Sequence, residues 1–252
     1  MENYIKFLGT AGARFVMIKQ LRASGGLWLS YQGTNLLVDP GPGCIVRCAM
    51  SRPKIDPQDL DGIILTHRHL DHSNDINVMI EAMTEGGFKK RGIIFVPKDA
   101  LEDEPIILRH LYGVLEGIEV IEEKKSYSLG EINFSVPSRQ KHPGLTYGLR
   151  FNLKKTVSLI SDTRYFEGIE DLYKADIVII NVVFFDDRPT VEHLSFNDVK
   201  KIVKNMRPQT TILTHFGMTM LTHKPHLLAQ ELEKELGVEV IAATDGMRFE
   251  LS

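Results

Sequence analysis

Apolar positions along the chain fall into short runs, and most of the runs end in turn chemistry. In the N-terminal half YIKFLG, GLWLSY, TNLLVD, GIILT and GIIFVP read as strands, with a helix-like stretch after Asp71. The C-terminal half repeats that plan with EINFSV, TYGLRFNL, TVSLIS, DIVIINVVF and TILTH, and adds two helices, FNDVKKIVKNM and HLLAQELEKEL. The first of these helices carries Phe196, Val199, Ile202, Val203 and Met206 at helical spacing. Strands rich in Val, Ile and Leu that alternate with helices build sheets covered by helices. Two sheets packed face to face with helices outside accommodate both halves, although periodicity alone does not prove the four layers. No Gly/Ser- or Pro-rich linker interrupts the sequence, so residues 1–252 are expected to form a single domain.

Composition narrows the picture modestly. A content of 43% hydrophobic and 25% charged residues is that of an ordinary soluble protein, and a net charge of -3 gives no general footprint for polyanions. The segment from Met1 to Arg14 lacks the basic start and apolar stretch of a signal peptide, and no run approaches the roughly 18 apolar residues of a membrane span. Cys44 and Cys48 lie four apart, a helical spacing that seldom reaches disulfide geometry, and are expected as free, partly buried thiols. A reduced, cytoplasmic protein is the expectation.

The chemistry gathers where apolar runs stop. NLLV ends at Asp39, IILT at His67, SLIS at Asp162 and TILT at His215. Ionisable groups that terminate apolar strands stand at the rim of a sheet, where loops collect functional residues. A lone His after a strand is an ordinary surface residue; four such stations together are not. The segment His67-Arg68-His69-Leu70-Asp71-His72 sharpens the point. His67 and His69 share a side of an extended chain, whereas Asp71 and His72 can serve a second ion if the chain turns there. Imidazole and carboxylate without sulfur suit a catalytic metal site rather than a structural one. His223 and His226 read as an exposed helix end and His110 as a structural residue.

These stations, in this order, resemble the metallo-β-lactamase superfamily of hydrolases. The resemblance spans nearly the whole chain: Asp39 in VDPGPG, the His67–His72 stretch, His142 in KHPGLTYG, Asp162 in SDTRY and His215 in LTHFG. It implies an αββα sandwich, with two divalent metal ions at one edge of the sheets. Zinc is the expected metal, with manganese or iron as alternatives. By the same resemblance His67, His69 and His142 would hold one ion, and Asp71, His72 and His215 the other. Asp162 would bridge them beside a shared water or hydroxide, and Asp39 would stand behind the ligands and orient one of them. Two divalent cations set against Asp71, Asp162 and a hydroxide leave net positive charge in the cleft, which favours an anionic substrate.

Local sequence points to one reaction among several. The third station is KHPG followed by TYGLR, which looks more like the phosphodiesterase branch than the thioesterases and lactonases. That branch includes tRNA 3′-end endonucleases and cyclic-phosphate diesterases. His193 in EHLS resembles the branch's additional His, whose imidazole assists a departing alkoxide. Asp71, His193 and Asp39 are thus the residues expected to carry catalysis beside the metals. The interval between Asp162 and His193 is short and holds no Gly- or Lys-rich arm for gripping tRNA. The expected substrate is a small or short nucleotide phosphodiester, not structured nucleic acid and not a membrane. A homodimer is left open. Lactone or thioester hydrolysis is the alternative, and a non-catalytic binding module is disfavoured because every expected ligand is retained.

Overall fold

The computed structural model describes residues 2–102 and 104–251. Its first sheet contains β1 (Tyr4–Phe7), β2 (Leu27–Tyr31), β3 (Thr34–Val38), β4 (Gly62–Ile64), β5 (Ile93–Val96) and β6 (Gly117–Val120). The second contains β7 (Ser126–Leu129), β8 (Ile132–Ser135), β9 (Leu149–Asn152), β10 (Thr156–Ile160), β11 (Ile177–Asn181), β12 (Thr210–Thr214) and β13 (Glu239–Ala242). The chain then returns to the first sheet as β14 (Arg248–Glu250), paired antiparallel with β1. Strand order is β14-β1-β2-β3-β4-β5-β6 in one sheet and β13-β12-β11-β10-β9-β8-β7 in the other. Each sheet is antiparallel on one side and parallel on the other. The parallel ladders are β3-β4-β5-β6 and β10-β11-β12-β13.

Alternation of side chains sorts the residues into layers. On β3, Leu36 and Val38 join the core between the sheets, while Leu37 faces the other way. On β11, Ile177 and Ile179 point inward, and Val178 and Ile180 point outward. Strands with both faces buried need helices outside. On the first sheet's outer face lie α2 (Cys44–Met50) and α4 (Ile76–Met83), which contribute Cys44, Cys48, Ile76 and Ile80 to that layer. The second sheet is covered by α6 (Phe196–Met206) and α8 (Pro225–Leu236), through Phe196, Val199, Ile202 and Leu232. Burying one such side chain contributes roughly 1.5–3 kcal/mol, and a one-residue slip of a strand would reverse its faces. The four-layer αββα arrangement expected from the sequence is the one observed.

Four short helices complete the chain: α1 (Ala13–Ile18), α3 (Leu70–Ser73), α5 (Ile169–Leu172) and α7 (Met218–Thr222). Two expectations need correction. Cys44 and Cys48 are free but fully buried, because α2 turns both toward the sheet. His110 is exposed on a 3-10 turn over Arg109–Val114, where Leu111 takes the buried position instead. His223 and His226 are exposed, as expected, and His223 stacks on Phe185 with ring centroids 3.7 Å apart. Among the described residues no helix is long and apolar enough to cross a membrane.

Candidate metal centre

Parallel strands deliver their carboxyl ends to the same edge, and loops there gather groups from several strands. From the first sheet come Asp39, just past β3, and Thr66 and His67, past β4; from the second come Asp162 past β10, Asn181 at the end of β11 and His215 past β12. The two edges are joined directly, by Tyr147 N donating to Thr66 O at 3.1 Å and by exchange between the segments around Thr10 and Phe216. Gly12 sits so close to His215 that a Cβ there would lie 2.0 Å from the His215 carbonyl oxygen. Gly41 of the VDPGPG segment is equally confined, its would-be Cβ 2.1 Å from Asp71 O.

All seven residues expected as ligands converge. His69 Nδ1 lies 3.1 Å from both His67 Nε2 and His142 Nε2. On the other side His215 Nε2 is 3.4 Å and His72 Nε2 3.8 Å from Asp71 Oδ2. Asp162 Oδ2 stands between the two groups, 3.9 Å from His67 Nε2 and 3.4 Å from His72 Nε2. Ligands about 2.1 Å from a tetrahedral ion are themselves about 3.4 Å apart, so these groups are spaced as donors that could hold metal. Within each set, His67-His69-His142 and Asp71-His72-His215, the donor atoms lie within 4.8 Å of one another.

The hydrogen bonds behind these groups fix which nitrogen faces inward. Asp39, buried and in the left-handed region at φ 55, accepts from Thr66 N at 2.7 Å, Thr66 Oγ1 at 2.7 Å and His72 Nδ1 at 3.0 Å. A carboxylate only accepts, so the neutral form of His72 carries its proton on Nδ1 and turns the Nε2 lone pair toward the cluster. The Thr66 hydroxyl has spent its proton on Asp39, so His67 Nδ1, 3.1 Å away, must donate to it, leaving His67 Nε2 as a lone pair too. One carboxylate thereby sets the tautomer of two rings. His142 Nδ1 donates to Glu192 O at 2.8 Å, with the same outcome. Asn181 Nδ2 donates to Asp162 Oδ1 at 2.8 Å and aims the other oxygen at the cluster. Sequence reading missed Asn181, whose only signal is a polar residue closing an all-apolar strand.

Electrostatics favour a cation here. Burial drives the His67 pKa well below its ordinary value, and the neighbouring His72 adds to the effect, so the ring is neutral. Burial acts the same way on His72, but Asp162, Asp71 and Asp39 outweigh it and raise its pKa well above the ordinary value. Burial likewise opposes charge on Asp162, yet His215, His72 and His193 hold it well below the usual carboxylate range. Asp39, Asp71 and Asp162 together make this a place of negative potential, which draws a proton onto buried His72 and would equally draw a metal cation. His72 Nε2 and both ring nitrogens of His215 are buried without a hydrogen-bond partner, a cost that coordination would remove. The residues fit divalent metal.

His193 also reaches this edge. Its Nδ1 is 3.6 Å from Asp162 Oδ2, and its ring centroid is 4.8 Å from that of His142. Burial lowers its pKa to about 4, so at neutral pH the ring is uncharged with one N–H to donate. It lies in a segment pinned at Ser195, which caps α6 and donates to Asp187 Oδ1 at 2.6 Å.

The sequence profile of the Beta-lactamase superfamily domain matches residues 34–216. An uncharacterized protein of Methanocaldococcus jannaschii (MJ1374) is 31% identical over 261 residues, spanning 100% of this chain and 96% of that one. Ribonuclease Z of Methanopyrus kandleri is 39% identical over 71 residues, covering 28% of this chain and 24% of the enzyme. Among solved structures, the metallo-beta-lactamase fold protein YhfI from Bacillus subtilis superposes with a TM-score of 0.81 at 20% identity, over 100% of both chains.

Proposed function

The chain belongs to the β-lactamase superfamily of metal-dependent hydrolases, and from that premise we propose that it is a phosphodiesterase working with two divalent ions, zinc foremost. The whole chain acts as one hydrolase domain. His67, His69 and His142 would hold one ion, Asp71, His72 and His215 the other, and Asp162 would be shared between them. Bound there, the ions supply Lewis acidity toward a phosphoryl oxygen and make water acidic enough to serve as nucleophile near neutral pH. The protein's own part is positioning. Asp39 and Thr66 keep the Nε2 lone pairs of His67 and His72 turned inward, Glu192 O does the same for His142, and Asn181 holds Asp162.

The observation that carries the diester reading is His193. It stands beside Asp162 and His142 but outside the two three-residue sets assigned to the ions, where a ring N–H can meet an oxygen that departs as an alkoxide. A neutral imidazole can stabilise that oxygen by donating a hydrogen bond as negative charge develops on it, as a neutral ring does elsewhere. The partial likeness to ribonuclease Z supports the same chemistry. A small or short nucleotide diester suits the site, since no tRNA-gripping insertion separates the stations.

The test compares leaving groups. Wild-type protein is expected to hydrolyse p-nitrophenyl and alkyl phosphodiesters, with lactones and thioesters poor. His193→Ala should keep its metal, lose little on p-nitrophenyl esters and lose roughly a hundredfold or more in kcat on alkyl or nucleotide esters. Lactone or thioester turnover without diester hydrolysis would overturn the reading. Equal losses on both diester types would remove His193 from the leaving-group role.

A further inference from the structure

A cleft of about 1100 Å³ opens over His69, Asp71, Asp162 and His193. That is slightly above the roughly 300–1,000 Å³ in which whole drug-sized ligands are buried, and far more than a bare phosphate and its two ester oxygens require. Its outer walls are apolar. Phe15 and Ile18 on α1, Leu70 at the start of α3 and Val191 in the segment after β11 all line it, with 66%, 67%, 64% and 38% of their surfaces exposed. Exposed apolar side chains scattered singly are ordinary. These four come from three separate stretches of chain and converge on one opening continuous with the metal centre, which marks a surface made to be covered.

Charge in the cleft is distributed differently. Arg14 and Arg164 line it and are exposed, while Glu192 is the one carboxylate among the described lining residues outside the metal cluster. The two cations suit a phosphate's negative charge, and beyond them the hydrogen-bonding side chains lining the cleft outside the metal cluster are few, Thr190, Glu192, His193 and Thr219, beside the apolar wall. The neighbouring Leu21 is 50% exposed yet stands outside the cleft, so the apolar wall is not merely a general property of that surface.

We propose that the substrate is a phosphodiester with one bulky apolar arm, alkyl or aryl, laid along the wall formed by Phe15, Ile18, Leu70 and Val191. This rests on the phosphodiesterase reading, and its test keeps the two apart. Diesters sharing p-nitrophenolate as leaving group and carrying a methyl, octyl, naphthylmethyl or thymidine 5′ substituent are compared by kcat/KM. Burial of the longer arms is expected to favour the octyl and naphthylmethyl esters over methyl by roughly 30-fold, with thymidine close to methyl. Phe15→Ser/Ile18→Ser, both at exposed positions, should collapse that ratio to about threefold or less, whereas Leu21→Ser keeps it. Calorimetric binding of methyl octyl phosphate against dimethyl phosphate gives the same comparison without turnover, with the octyl ester roughly tenfold or more tighter. A strong octyl preference in binding with no hydrolysis of any diester would sink the reaction and leave the apolar wall standing. Equal binding of the two phosphates, or a thymidine diester preferred over octyl, overturns the proposal.

Discussion

Asp39 carries more of the site than its place behind the converging imidazoles suggests. Its carboxylate receives three hydrogen bonds, and two of the inward lone pairs depend on it. Asn is the informative replacement, because it tolerates the left-handed backbone that Asp39 adopts at φ 55. An amide that keeps the bond from Thr66 N turns an N–H₂ toward His72 Nδ1, two donors facing each other. The imidazole then favours the other tautomer, with its proton on Nε2 where a ligand lone pair is needed. Asp39→Asn is expected to weaken metal binding by roughly 10–100-fold in competition with a chromophoric chelator. Unchanged affinity would show that Asp39 serves folding alone. At this scale the sequence was highly legible, since His and Asp at the ends of apolar runs have few other reasons to recur. Asn181 was not, because an Asn closing a strand is what ordinary turns also use.

Among the elements, the long apolar strands and the amphipathic helix α6 were readable because both faces or one whole stripe must be buried. Four strands were not anticipated. β6 and β7 are half polar and lie at sheet edges, β13 starts on an exposed Glu239, and β14 is only three residues long. Their pairing comes from tertiary context rather than local pattern. The stretch expected as one helix after Asp71 is two, α3 and α4, and the interruption lets His72 turn inward while α4 packs on the sheet. Ser195 shows an element end serving the site. It forms a reciprocal cap with Asp198 and also binds Asp187, tethering the segment that carries His193. Ser195→Ala is expected to cost about 1 kcal/mol in denaturant unfolding while metal content stays intact. A loss of metal alongside would mean that the segment also shapes the donor sets, through the Glu192 carbonyl on His142.

At the scale of the molecule, the donor groups lie far apart in sequence and meet only when both sheets are formed and packed. Asp39 and His67 belong to one sheet, and Asp162 and His215 to the other. Periodicity suggested two sheets, but only the sorting of Leu36 from Leu37 and of Ile179 from Ile180 fixes which faces meet. The cleft could not be read from the sequence at all, since Phe15, Leu70 and Val191 become neighbours only through the fold. Such a site concentrates buried carboxylates and unpartnered imidazoles where cations are needed to balance them. The most direct test is metal reconstitution of phosphodiesterase activity. Protein stripped with a chelator and dialysed should be inactive on bis-p-nitrophenyl phosphate. Added zinc should restore the rate in proportion and reach its plateau at about two equivalents per chain. Activity that survives chelation, or stripped protein that takes up two equivalents and still hydrolyses no diester, would contradict the account.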